Sequence, residues 1–105
     1  MAARVSKAEF DDKVLGSSLP VLVDFYSDSC VPCKRLAPVI GTVEDERAGE
    51  LAVFKVNINF DADAAEKYEV SAAPTLVLFN GGEEKARHTG VFKKDELVSF
   101  IEANA

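Results

Sequence analysis

The run Val21-Leu-Val-Asp-Phe-Tyr26 constrains the fold more than any other stretch of this chain. It is apolar and β-branched almost without alternation, so the strand it forms needs cover on both faces. Helices above and below a mainly parallel sheet supply such cover. A tight turn then leads into Cys30-Val-Pro-Cys33, after which Leu36, Val39, Ile40 and Val43 recur at helical spacing. They predict a long helix to about Arg47, with Gly49 as its stop and a kink at Pro38, which removes the backbone bond to the Lys34 carbonyl.

The remaining segments fit the same plan. Ala3–Val5 is a short leading strand. Ser6-Lys-Ala-Glu9 reads as a capping box flanked by a Val5/Phe10 hydrophobic staple, opening a helix over Lys7–Leu15 that ends at Gly16-Ser-Ser. Leu51–Ile58 is a strand, and Asp61–Tyr68 a short helix with a second candidate cap at Asp63 to Glu66. Thr75–Phe79 is a buried strand preceded by Ala72-Ala-Pro74. Asn80-Gly-Gly82 signals a hairpin, returning Glu83–Thr89 as a charged antiparallel edge strand. Lys93–Ala103 closes the chain as a helix with Leu97, Phe100 and Ile101 inward. The order β-α-β-α-β-α-β-β-α predicts an α/β sandwich, a central mixed sheet of four to five strands between four helices. With 105 residues the chain has room for one domain, spanning 1–105.

The only two cysteines stand at i and i+3 across a predicted helix start. Three readings are open there: a structural bridge, half of a metal site, and reversible thiol–disulfide exchange. Zinc needs about four Cys/His ligands, and the chain offers Cys30, Cys33 and His88. A reducing compartment disfavours a structural bridge. The N-terminal Met-Ala-Ala-Arg-Val-Ser-Lys has no apolar h-region, which makes a cytoplasmic location the expectation. The net charge of −6 argues against nucleic acid or an anionic membrane as partner. No apolar run approaches the roughly 20 residues that cross a bilayer. His88, on the charged edge strand, reads as a solvated surface residue. Asp24 is the one ionisable group in an apolar strand, and burial should raise its pKa towards neutrality.

Taken together, Val23-Asp-Phe25, Cys30-x-Pro32-Cys33-Lys34, Pro38, Lys55, Ala73-Pro74-Thr75, Gly82 and Gly90 resemble the thioredoxin family, over essentially the whole chain. The resemblance implies a thioredoxin fold and a protein-disulfide reductase that needs no bound cofactor or metal. It implies disulfide-containing protein substrates, recharging by a thioredoxin reductase-type flavoprotein, and a monomer. Cys30 is then the nucleophile, its thiolate favoured by the helix N-terminus, and Cys33 the resolving thiol. Asp24 accepts the Cys33 proton, directly or through water, with Lys55 behind the cysteines as its partner. Pro74 corresponds to the family's cis-proline, and Ala73, Val31, Pro32, Gly90 and Val91, with Ala72, line a shallow substrate surface.

The chain departs from the family around the first cysteine. Ser29 and Val31 stand where many members carry tryptophan and glycine, and Tyr26 stands where an upstream tryptophan is common. These changes expose Cys30 and stiffen the helix start. They keep two further readings open: a non-catalytic thioredoxin-fold module that clamps a partner, and a specialist serving one enzyme system.

Overall fold

The computed structural model describes residues 2–105. Among these residues five strands form one sheet in the order β1-β3-β2-β4-β5. They are β1 Ala3–Arg4, β2 Val21–Tyr26, β3 Ala52–Asn57, β4 Thr75–Asn80 and β5 Glu83–Thr89. β1, β3 and β2 run parallel, whereas β2–β4 and β4–β5 are antiparallel. Four helices accompany them: α1 Lys7–Phe10, α2 Val31–Glu46, α3 Ala62–Lys67 and α4 Lys94–Asn104. The mixed sheet and four helices bear out the predicted architecture. No helix among the described residues is long and apolar enough to cross a membrane.

The near-continuous apolar strands are explained by two cores, one on each face. Successive side chains of a strand point to opposite faces. Val21, Val23 and Phe25 accordingly join Val77 and Phe79 in a core with Phe10, Val14, Ala64 and Ala65. Leu22, Leu76 and Leu78 enter the other with Leu36, Ile40, Val43, Leu97 and Ile101. β2 and β4 thus contribute to both cores, which is why neither shows a polar face, whereas the outer strand β5 enters neither core.

The first helix departs from expectation. After α1 the chain widens into a π-helical turn over Asp11–Leu15, closed by Gly16 N–H donating to the Asp11 carbonyl at 2.8 Å. A wide turn brings positions four and five apart onto one face. Val14 and Leu15 can therefore both pack beside Phe10. Gly16 makes room for it, since a Cβ there would stand 2.8 Å from the Asp12 carbonyl oxygen. The helix start keeps the glutamate half of the capping box: Glu9 Oε1 accepts from the Ser6 N–H and hydroxyl, each at 3.1 Å.

The hairpin follows its sequence signal. Gly81 and Gly82 have φ of 62° and 81°, the positive pair that a type I′ turn requires. His88 does not behave as a solvated edge residue. It is half-buried, its ring stacked on Phe92 at 3.6 Å between centroids, because the loop after β5 folds back over it.

Candidate active site

β2, the central strand, delivers the chain to one end of the sheet, and four residues separate its last residue, Tyr26, from the start of α2. A helix start leaves backbone N–H groups without intrahelical partners. Here a sulfur takes the place of the usual capping oxygen: Cys30, extended at φ −90° and ψ 110°, accepts the Cys33 N–H at 3.1 Å. That contact and the positive end of the helix dipole both favour negative charge on this sulfur. Val31 and Pro32 occupy the first helical positions, where proline's missing N–H costs nothing. Cys33 follows one turn on. The two cysteines are bonded as a disulfide with their Cα atoms 5.2 Å apart. Cys30 is half-buried, whereas Cys33 is only 5% exposed, so Cys30 is the more accessible residue of the two.

Three further segments converge on the pair. The Ala73–Pro74 peptide is cis, and the Ala73 carbonyl oxygen lies 3.5 Å from Cys30 Sγ. The next carbonyl, that of Pro74, accepts the Gly90 N–H at 2.9 Å, which pins the end of β5 beside the start of β4. Gly90 has φ 110°, a conformation open to few residues with a side chain. Beside it Val91 is 44% exposed, and Val31, next to Cys30 in the chain, is 58% exposed.

Asp24 lies behind the pair on the face of the sheet that α2 covers, in register with Lys55 on β3 and Leu76 on β4. Its Oδ1 is shut off from solvent and has no hydrogen-bond partner. Burial raises its pKa from the ordinary 3.8 to about 6, against the opposing pull of the Lys55 ammonium. Asp24 and Lys55 face a recess of about 60 Å³ lined also by Ala37, Ile40 and Gly41 of α2. That exceeds the minimum for an ordered water. Among the described residues no ion pair joins Lys55 to Asp24; the ammonium lies 5.3 Å from the centroid of the Tyr26 ring. The expected partnership is therefore electrostatic, across the recess, rather than a salt bridge.

One set of polar contacts beside Cys30 carries no strong signal in the sequence: Asn57, at the end of β3, donates to Asp28, and Asn59, in the loop after it, donates to Ser27. The signal available is Asn57-Ile-Asn59 at the end of an apolar strand, since asparagine readily bonds backbone a few residues on.

A disulfide ring closed across a helix start, with one cysteine half-buried and the other buried, can be opened by an incoming thiol and closed again. Chemistry of that kind defines the dithiol–disulfide oxidoreductases. The thioredoxin family model matches residues 1–103. A thioredoxin of Pseudomonas aeruginosa is 41% identical over 100 residues, covering 95% of this chain and 93% of its own. One from Rickettsia bellii is 36% identical over 104 residues, 99% of each chain. One from Allochromatium vinosum is 38% identical over 100 residues, 95% of this chain and 94% of its own. The chain belongs to the thioredoxin family, and its function is thiol–disulfide oxidoreduction with protein-disulfide reductase activity.

Proposed function

We propose that Cys30 is the attacking and Cys33 the resolving sulfur in reduction of protein disulfides. The observation that carries this is the unequal exposure of the two cysteines at the α2 N-terminus, with Cys30 the more accessible. In the reduced protein the Cys30 thiolate bonds to one substrate sulfur, the substrate S–S bond breaks, and the other substrate sulfur leaves and takes a proton. Cys33 gives up its proton and attacks Cys30 Sγ. The Cys30–Cys33 ring re-forms, and the second substrate thiol is released. Two electrons pass from the dithiol to the substrate.

Asp24 accepts the Cys33 proton by way of water in the recess; a carboxyl with a pKa near 6 can take and return a proton at neutral pH. Lys55, facing the same recess, favours the charged form of Asp24 and so sets how readily it accepts. The backbone at Ala73, ahead of the cis bond, pairs with an extended substrate segment as in strand addition. Pro74, Val31, Pro32, Gly90 and Val91 form the shallow contact surface around it. The chain acts as one domain and a monomer in the cytoplasm, and a reductase of the flavoprotein type restores its dithiol.

A Cys33→Ser variant should accumulate mixed disulfides with substrate proteins through Cys30, and Cys30→Ser should lose dithiothreitol-dependent insulin reduction. Wild-type turnover by Cys30→Ser would overturn the assignment. A protein that binds its partners equally well with both cysteines replaced by serine would instead be a clamp.

A further inference from the structure

The loop that presents Cys30 carries no large aromatic side chain. A chain of polar contacts runs beside it instead. Ser27, buried although polar, has its hydroxyl 3.3 Å from that of Ser29 and accepts the Asn59 side-chain N–H at 3.0 Å. Asp28, between the two serines, accepts the Asn57 side-chain N–H at 3.1 Å. Asn57 is only 5% exposed, and its Oδ1 accepts the backbone N–H groups of Asn59 and Phe60 at 3.0 and 3.1 Å. Each asparagine therefore shapes or occupies the loop after β3 while donating across to the turn before Cys30. That turn is itself closed by Cys30 N–H donating to the Ser27 carbonyl at 3.3 Å.

Resting on the assignment of Cys30 as nucleophile, we propose that Asn57 and Asn59 are positioning residues that fix the Ser27–Cys30 turn and so hold the Cys30 sulfur on the α2 N-terminus. The geometry has few other ways to do this. Residues Asp28 and Ser29 are exposed, so packing does not restrain them, and a loop without packing is held by its hydrogen bonds. Cys30 Sγ profits from the Cys33 N–H only while the preceding turn keeps its backbone extended at the helix start. Releasing the turn costs the thiolate part of that contact and lowers its fraction at neutral pH. The reduced protein is then stabilised less relative to the disulfide, so the Cys30–Cys33 couple becomes more reducing.

The test is a double-mutant cycle on Ser27 and Asn59, read by alkylation of the reduced protein with iodoacetamide against pH and by the reduction potential of the pair. Asn59→Ala removes an exposed loop side chain and should leave the fold intact, as far-ultraviolet circular dichroism would report. It should move the alkylation midpoint upward, slow the reaction at pH 7 by about threefold, a fraction of one hydrogen bond, and make the potential more negative. Ser27→Ala should do the same, and the double variant should be no worse than either single one. Asn59→Gln, which keeps a donor amide, should recover part of the loss.

Peptide mapping of the alkylated protein separates the two claims. Label on Cys33 first would overturn the nucleophile assignment. Label on Cys30 with an unchanged profile and potential in Asn59→Ala would overturn the positioning role alone, as would fully additive single effects. Should Ser27→Ala fail to fold, the Asn59→Ala profile and potential decide the matter.

Discussion

A carboxyl with a pKa of about 6 inside a folded chain works against folding at neutral pH. In the unfolded chain Asp24 titrates near its ordinary 3.8, and burial lifts it to about 6 in the native state. Below 3.8 it is protonated in both states and contributes nothing. Between 3.8 and 6 the native protein keeps a proton that the unfolded chain has lost, so stability falls as pH rises; above about 6 the full cost remains. At about 1.4 kcal/mol per unit that cost is about 3 kcal/mol. Asp24→Asn should therefore stabilise the oxidised protein by up to about 3 kcal/mol at pH 8 and by little at pH 3.5, as measured by urea unfolding. An equal gain at both pH values would show that the buried charge is not the cause. On the proposed role of Asp24 as acceptor of the Cys33 proton, the same substitution should slow insulin reduction.

Among the elements, α3 ends in a way its sequence does not favour. Val70 N–H bonds the Ala65 carbonyl and Glu69 N–H the Glu66 carbonyl, a pair of contacts that places residue 69 in the left-handed region. Glycine is the usual residue there, but this chain has Glu69 at φ 56°. Glu69→Gly should stabilise the protein by about 0.5–1 kcal/mol: the left-handed conformation costs a side-chain-bearing residue about 1–2 kcal/mol, less glycine's larger entropy loss on folding. Thermal unfolding checks it, and a lower melting temperature would mean that Glu69 makes a contact outweighing its backbone. Elements of this kind also mark where the sequence was legible. Periodicity located β2, α2, β4 and the hairpin because apolar spacing and glycine pairs are local signals. The π-helical turn at Asp11–Leu15 was not legible, since its cause is the need to seat Val14 and Leu15 together against a core assembled from distant strands. His88 was misread for the same reason: Phe92, which covers it, lies beyond the strand. Within the site, the cysteine pair and Asp24 stood out as residue types at odd positions. The cis bond was reached through the family resemblance alone, and the Asn57–Asn59 contacts depend on two loops meeting in space.

At the scale of the whole molecule, four chain segments meet at one end of the sheet. β2 and β3 finish there, β4 begins there after Pro74, and β5 ends there before Gly90. Loops at the carboxyl ends of parallel strands are where α/β proteins place their sites. The described chain measures 30 × 29 × 21 Å, too small to enclose a protein substrate, so recognition must occur on an open face. Among the described residues three large apolar side chains are exposed: Val31, Phe60 and Val91. Phe60 lies under the Arg4 guanidinium at 4.1 Å, which leaves Val31 and Val91 flanking the cysteines and the Pro74 loop as free apolar contacts. On the proposed contact surface a protein substrate covers Val91, whereas a small disulfide would engage Cys30 alone. Covering a valine that is already half-buried is worth about 1 kcal/mol, and an aspartate would add the cost of burying a charge. Val91→Asp should therefore raise the KM for insulin about five- to tenfold while changing the rate with a small, uncharged aliphatic disulfide less than twofold. Equal losses on both substrates would place the defect at the cysteines and remove Val91 from the recognition surface; no loss on either would move recognition elsewhere on the face.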